Sequence, residues 1–461
     1  MANQEQNLMD KIVSLAKRRG FIFPSSEIYG GFESGYDYGP LGVELKNNIK
    51  RAWWKAMVQE NENIVGLDSA ILMNPKVWEA SGHLSAGFAD ELIECKSCHK
   101  RFKKNEVEKK CPECGGEFLP ARKFNLMMKT FVGPVEDETA VAYLRAETCQ
   151  GIYMNFLNVL NSSRLKIPFG IAQIGKAFRN EITPGNFIFR TREFEQMEMQ
   201  WFCRPSSKNT QQNKHEAKHE KDMKDWTADD WFEYWKKKRL NWYLNLGIKK
   251  ENLRLKDHEK KDLAHYAKAG TDIEYHFPWG WQEIEGIHNR GDWDLSRHSQ
   301  YSGRDLFYFD PETKEKYTPY IIETSGGIDR ALLTFLIDSY EEIKGGRTKT
   351  TKATKETEIV LKLHKDLAPI KIAILPLVKK EPLVKLAQEI CQDLKKYFMT
   401  EYDEVGSIGR RYRRQDEIGT PYCLTVDFES LEDKKVTIRD RDTMKQERIE
   451  IKGLKDYFFA Q

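Results

Sequence analysis

The stretch FRNEITPGNFIFRTREFEQMEMQWF (178–202) carries Arg179, Arg190 and Arg192 together with Glu181, Glu198 and a series of aromatic rings. On a strand, side chains two residues apart share a face. If 171–181 and 187–202 are antiparallel strands joined by TPGN, Arg179 and Glu181 point the same way. Arg190, Arg192, Phe194, Gln196 and Glu198 then line one surface, while Phe187, Phe189, Met197, Met199 and Trp201 fall mostly on the other and form core. A salt-bridge ladder accounts for the paired charges but less well for several arginines and a ring on one surface. Such a surface suits a nucleotide, with arginines for phosphates, a ring to stack on a base, and carboxylates for magnesium or an amine.

Two other stretches carry chemistry. ETSGGIDRALLTFLID (323–338) reads as a carboxylate at a strand end, a tight small-residue turn, and a helix with Arg330 in its first turn. Gly326 and Gly327 permit close backbone approach, and a helix N-terminus favours an anion. Alone this signal is weak, because glycine turns precede many helices. CKSC (Cys95, Cys98) and CPECGG (Cys111, Cys114) are a stronger one. Two CxxC pairs at this separation close a tetrahedral thiolate site for zinc, and the glycines let backbone amides turn toward sulfur. The alternative is four unrelated thiols. Four thiolates leave no open ligand position, so the expected zinc is structural.

The elements that must hold these groups follow from periodicity. A helix is expected over 5–20, with Leu8, Ile12 and Leu15 on one side. Another follows the break at Pro40, with Val43, Leu45, Ile49, Trp53 and Met57 at helical spacing, and 140–160 also reads as helix. IKIAILPL (370–377), EPLVKLAQEICQDLKKYF, PYCLTVDF and KVTIRDR alternate strand, helix and strands, which predicts a separate α/β domain of about 100 residues. The stretch 208–225 is nearly devoid of apolar residues and is expected to be a solvated insertion, floppy or weakly helical. A second polar stretch, 344–358, has the composition of a linker. In GRRYRRQDEIGTPY (409–422) four arginines surround Tyr412, an arrangement that suits unstacked bases and phosphates or a solvated basic face.

With 461 residues, two or three domains are expected. The net charge of +3 excludes a global basic coat, so any nucleic-acid contact must be local. No apolar run reaches membrane-spanning length, MANQEQNLMDK lacks a signal core, and Cys149, Cys203, Cys391 and Cys423 are scattered. A reducing, cytoplasmic setting is expected. His265, His276 and His288 suggest only packing or surface polarity.

GYDYGPLGVELKNNIKRAWW, FRNEI…FIFRTREFEQME and ETSGGIDR resemble motifs 1, 2 and 3 of the class II aminoacyl-tRNA synthetases. LRAETCQGIY, FPWGWQEIEGIHNRGDWDL and FEQME are similar to the glycyl-tRNA synthetases of the homodimeric type, and the resemblance runs from about residue 10 to the end. Cys149, Thr324 and Gly326 stand where that family usually has Ala, Pro and Ala; none of these departures removes a charge. The resemblance implies an α+β fold: an antiparallel sheet flanked by helices, a zinc-ribbon insertion, and a C-terminal α/β anticodon-binding domain. It divides the chain into a catalytic domain at 1–343 (motif 1 around 36–57, motif 2 around 171–202, motif 3 around 321–338), a ribbon at 91–118, a polar insertion at 206–228, a linker at 344–364, and an anticodon-binding domain at 365–461.

It further implies that glycine and ATP give glycyl-adenylate, that the glycyl group passes to the 3′ end of tRNA(Gly), and that Mg2+ and structural Zn2+ take part in a homodimer. Arg179 would hold the α-phosphate, Phe194 stack on adenine, Arg330 grip the far phosphate, and Glu283 and Glu323 meet magnesium or ATP. Asn180, Glu181, Phe189, Arg190, Thr191, Arg192 and Glu193 from motif 2 complete the implied ATP set, with Ile284, Gly327, Ile328 and Asp329. For glycine the implied contacts are Arg101, Glu147, Phe194, Glu195, Gln196, Met197 and Glu198, then Glu323, Thr324, Ser325, Gly326 and Gly327. Arg101 remains open between the glycine site and a solvated basic loop. Two alternatives are a same-subclass synthetase for another small amino acid and a non-catalytic RNA-binding relative. The first is disfavoured by the acids of AETCQG and FEQME, the second by the intact charged motifs.

Overall fold

The computed structural model describes the chain except residues 1, 86–87, 206–222, 224–225, 262, 264–265, 346 and 348–356. The expected 208–225 insertion therefore falls almost wholly outside the described residues, as does His265. Of the 206–228 insertion, the last three residues belong to the fold instead, because Thr227 caps a helix and Ala228 is buried.

Helix α1 (Ala2–Arg19) buries Ile12, Leu15 and Ala16. Helix α2 (Pro40–Trp54) begins at Pro40, whose missing N–H costs nothing in the first turn. Leu45, Ile49 and Trp53 are buried as the spacing predicts, but Val43 is 40% exposed. Gly42 takes the inward position instead: a Cβ there would lie 1.8 Å from the Phe21 carbonyl oxygen. Helix α3 (Ala228–Asn245) was not legible as an element in the sequence. Its capping box closes with Asp230 N donating to Thr227 Oγ1 (3.3 Å) and Thr227 N to Asp230 Oδ2 (2.9 Å). Helix α4 (Ile328–Ser339) is buried along nearly its whole length.

The central sheet has seven strands: β1 (Ile64–Gly66), β2 (Phe169–Phe178), β3 (Glu193–Cys203), β4 (Leu253–Asp257), β5 (Ala269–Phe277), β6 (Gly280–Gly291) and β7 (Tyr320–Gly327). Their order is β4-β5-β6-β7-β3-β2-β1, antiparallel except for β1 beside β2. Met197, Met199 and Trp201 point into the main core, where Trp201 meets Trp231 and Trp235 of α3. On that face Arg239 of α3 and Tyr243 both reach Glu285 of β6, at 3.1 and 2.9 Å. The other face stays open, and the site lies there.

Four expectations need correction. The expected 187–202 strand begins only at Glu193; Phe187–Phe189 forms a single 3-10 turn, entered through Asn186 and Phe187 at positive φ. Residues 140–160 are not one helix, since Val141–Leu144 pairs as a strand with Met128–Phe131 before two short helices. The 344–364 linker contains a strand, Thr357–Leu361, paired with Tyr340–Lys344. The motif 3 carboxylate is not at a strand end, because β7 runs on to Gly327 and passes into α4 without a turn.

The C-terminal residues build a five-stranded sheet, with Ile372–Pro376 parallel to both Thr400–Tyr402 and Tyr422–Val426. The helix Glu381–Leu394 packs on it through Leu383, Ala387 and Ile390. The basic run forms the helix Ile408–Glu417, but most of its charge is internal. Buried Arg411 donates to the Pro376 and Leu377 carbonyls, Arg413 to Glu358, and Arg414 to Asp403, while Tyr412 packs inward; Arg410 is exposed. The run is therefore not a surface of four arginines around a ring. This unit joins the larger one where Asn48 Nδ2 of α2 donates to the Leu367 and Ala368 carbonyls (3.1 and 2.9 Å).

Candidate active site

Strand alternation sets the site. β3 presents Phe194, Gln196 and Glu198, β7 presents Glu323, Ser325 and Gly327, and β6 presents Gly286, His288 and Arg290, all lining one cavity. The register places Glu198 opposite Ser325, Gln196 opposite Gly327, and His288 opposite Glu323. The same alternation turns Glu195, Met197, Thr324 and Gly326 to the far side, so these four expected glycine contacts do not line the cavity. Glu195 instead pairs with Lys46 (3.1 Å) and Lys50 (2.9 Å), and a Cβ on Gly326 would meet Met197 and Glu285 of the core. Ile328 is likewise core.

Toward the start of β3 the cavity is basic. Arg179 follows β2 directly; its Nε donates to the Ala146 carbonyl (3.1 Å), and its guanidinium lies 5.4 Å from the Phe194 ring centroid. Arg330 stands 4.4 Å over the Phe189 ring and donates to the Phe189 and Glu283 carbonyls and to the Glu283 carboxylate (3.3 Å). Arg190 is held by Glu106 (2.9 Å). Glu181, Thr191 and Ile284 also line this part, and so does Asp329, although its carboxylate is taken by Lys46 (2.8 Å), the Glu195 amide (2.7 Å) and the Tyr38 hydroxyl. Arg192, Glu193 and Asn180 do not line it. Arg192 turns to Glu33 (3.2 Å), Glu193 pairs with Lys176 at the surface, and the Asn180 amide donates to the Leu126 carbonyl.

Further along β3 the cavity is acidic. Glu198 accepts from Ser325 Oγ (2.6 Å) and from Thr148 Oγ1. Glu147 lies 3.4 Å from His83 Nε2 and accepts from Cys149 Sγ (3.0 Å) and Gln150 Nε2 (2.8 Å). Glu323 meets Arg290 (3.2 Å to each oxygen) and Gln200 Nε2 (3.0 Å), and Asp294 grips the same guanidinium at 2.7 and 2.8 Å. Burial alone would raise all three carboxyls. For Glu323 the Arg290 guanidinium and His288 outweigh burial and hold it at about 2; for Glu147, His83 and Arg290 hold it well below the usual range. Among the described residues no cation forms an ion pair with Glu198. Burial, then its neighbours Glu323 and Glu147, push it up to about 7 against the Ser325 and Thr148 hydrogen bonds. The result is a buried pocket with an excess of negative charge, complementary to an ammonium group.

Arg290, His288, His83 and Thr148 were not singled out from the sequence. Each is an isolated polar residue whose role depends on what faces it across the fold. His288 was expected to serve only packing or surface polarity, yet it lines the cavity.

The four cysteines come together as expected. Sγ atoms of Cys95 and Cys114 lie 3.5 Å apart, and those of Cys98 and Cys111 3.7 Å apart. A tetrahedron with Zn–S bonds of about 2.3 Å has edges of roughly 3.8 Å, so the cluster has the size of a zinc tetrathiolate. Arg101, in the strand Arg101–Lys103, pairs with Glu94 (3.0 Å), is exposed, and does not line the cavity. Lys103 of the same strand does approach the wall, 3.3 Å from Glu181.

Residues 134–340 match the family described as tRNA synthetase class II core domain (G, H, P, S and T), and residues 371–461 match the anticodon binding domain. A glycine–tRNA ligase of Treponema denticola is 54% identical over 448 residues, 96% of this chain and 94% of its own length. One of Thermobifida fusca is 52% identical over 97% of each chain. The structure of prolyl-tRNA synthetase from Cryptosporidium parvum, complexed with halofuginone and AMPPNP, aligns with 97% of this chain and 76% of its own at a TM-score of 0.62 and 15% identity, which shows a common fold. With identity above one half over almost the whole length, and motifs 2 and 3 lining one cavity, this chain belongs to the glycine–tRNA ligase family of class II synthetases.

Proposed function

We propose that the chain joins glycine to ATP as glycyl-adenylate in this cavity and then transfers the glycyl group to a hydroxyl at the 3′ end of tRNA(Gly). The observation that carries this reading is the polarity of one continuous groove: Arg179, Arg190 and Arg330 toward one part, and Glu147, Glu198 and Glu323 toward the other, with Phe194 between. Glycine offers only an ammonium and a carboxylate. The acidic part takes the ammonium, which leaves the carboxylate facing the α-phosphate of ATP. One carboxylate oxygen attacks phosphorus and pyrophosphate departs. Negative charge then grows on the phosphoryl oxygens, where the fixed guanidinium of Arg179 stabilises it without proton transfer. The flat face of Phe194 receives adenine, and Arg330 meets the leaving phosphates.

Glu283, with 48% of its side chain exposed beside Arg330, and Glu323 would hold Mg2+, which supplies charge neutralisation on the triphosphate when bound. The cysteine cluster would hold a structural zinc. The C-terminal sheet is assigned to the anticodon, and the full enzyme to a homodimer working in the cytoplasm, where thiols remain reduced. All eight cysteines are free, and among the described residues no helix is long and apolar enough to cross a membrane.

The test is pyrophosphate exchange measured with glycine, alanine and serine in parallel, followed by charging of purified tRNA. Glycine is expected to support exchange at least ~10²-fold better than alanine, because a methyl group must be refused by crowding rather than by a missing attraction. Exchange driven equally by alanine or serine would overturn the assignment.

A further inference from the structure

Beside the cavity, on the same face of the sheet, His258, Asp272 and His288 place one ligand atom each within 4.8 Å of one another. They come from three neighbouring strands: His258 follows β4 directly, Asp272 is in β5 and His288 in β6. Nothing in the adenylation chemistry uses them as a group.

The backbone around them is cut to fit. Gly270 pairs with His288 and Gly286 with Asp272 across β5 and β6. A Cβ on Gly270 would lie 2.8 Å from His258 Nδ1 and 3.0 Å from His288 Cδ2, and one on Gly286 would lie 2.8 Å from His288 Cε1. The two rings therefore come within 5.6 Å of each other only because both paired positions lack side chains. The His288 ring has its Cδ2 edge over Gly270 and its Cε1 edge over Gly286. Nε2 lies between those two carbons in the ring, so it is turned toward β5 and Asp272. Nδ1 lies on the other side, 3.3 Å from Glu323 Oε1, is buried, and makes no hydrogen bond. On the far side, His258 Nε2 stands 2.8 Å from Asp272 Oδ2.

We propose that His258, Asp272 and His288 form a site for a divalent transition ion of the Zn2+, Co2+ or Mn2+ kind, distinct from the cysteine cluster and from the magnesium that accompanies ATP. Two imidazoles with one carboxylate suit such ions, whereas magnesium prefers oxygen donors and its own water. An ion at 2.0–2.2 Å from each donor requires donors roughly 3 to 4 Å apart, which a small movement of these rings supplies. Glu323, facing the other nitrogen of His288, would fix the Nδ1–H tautomer and leave the Nε2 lone pair for the ion, the arrangement common to metal-bound histidines.

The experiment uses the full-length protein as isolated, with its metal content measured, and titrates Co2+ by calorimetry and visible absorption in the presence of millimolar Mg2+. One equivalent is expected to bind with ligand-field bands of a nitrogen and oxygen site and no thiolate-to-cobalt charge-transfer band. H258A is expected to weaken that binding at least tenfold while keeping the metal of the cysteine cluster and its glycine-dependent exchange. D272N serves as a second variant, with the same expected loss. No such equivalent, cobalt bound only with the thiolate band, displacement by Mg2+, or undiminished binding in both variants would each overturn the proposal.

Discussion

Glu198 is the acid of the proposed glycine pocket whose charge changes in the neutral range. Glu147 and Glu323 are held low by His83 and Arg290 and stay ionised through the neutral range, whereas Glu198 is pushed up to about 7. An ammonium group binds the ionised form, so glycine affinity is full above pH 7 and declines as Glu198 takes up a proton. The KM for glycine is expected to be flat above about pH 7.5 and to rise toward tenfold per pH unit below about 6.5. S325A removes a hydrogen bond to the ionised form and moves the break to higher pH. A glycine KM independent of pH from 5.5 to 8 would remove Glu198 from the ammonium site. At the basic part, R179A is expected to lower glycine-dependent exchange by at least ~10²-fold with an unchanged thermal midpoint, since among the described residues the guanidinium makes one hydrogen bond to the fold, to the Ala146 carbonyl. Wild-type exchange in that variant would contradict the phosphate role. Period-2 alternation found Phe194, Gln196 and Glu198 because they share one regular strand. It misplaced Arg192, since the strand starts a residue later, and it could not find Arg290 or His288, whose shared partner Glu323 lies on β7.

At the scale of elements, long apolar patterns were legible: α1, α2, β2, α4 and the strand–helix alternation after residue 370 form close to where spacing placed them, and β3 forms from Glu193 on. The failures are short. Val141–Leu144 is four residues of strand in a stretch whose apolar content fits a helix equally well, an ambiguity that periodicity cannot settle. The arginine-rich helix Ile408–Glu417 misled for the opposite reason, because charge usually marks a solvated face and here it satisfies buried carbonyls. The cysteine insertion, proposed as a zinc ribbon, lies between these cases. Its spacing was decisive, but its three short strands (Ala89–Glu94, Arg101–Lys103 and Arg122–Asn125) bury few apolar side chains, chiefly Leu92 and Ile93. A unit with so small a core would depend on the proposed metal to fold. Chelation is therefore expected to expose residues 90–118 to protease before any other segment. The ribbon also holds the cavity wall through Lys103–Glu181 and Glu106–Arg190. Its loss should raise the KM for ATP by roughly 3- to 10-fold, the scale of one or two partly exposed ion pairs. Unchanged cleavage of 90–118 after metal removal would count against a structural zinc.

The molecule as a whole leaves an apolar surface uncovered on the motif 1 side. Ile28 is 88% exposed, Tyr29 86% and Phe32 64%, all in the loop between Ser26 and Gly35. Three large apolar side chains so close in sequence and so open to water are what a protein–protein contact would cover. The next residue, Glu33, reaches the motif 2 loop: its carbonyl and carboxylate both accept from Arg192, at 3.2 Å each. The same loop therefore touches solvent on one side and the segment that carries Arg190 on the other. If a second copy of the chain packs on this loop, dimer formation fixes Glu33, and Glu33 fixes Arg192 and the turn Phe187–Phe189 under Arg330. Dimerisation and adenylate formation would then fail together. The double variant Y29E/F32E is expected to sediment as a monomer and to lose exchange activity, while its acidic pocket, which none of these residues lines, remains folded. R192A is expected to stay dimeric and to show a raised KM for ATP, which separates the tether from the contact itself. A Y29E/F32E protein that remains dimeric would place the subunit interface elsewhere, and an active monomer would break the coupling.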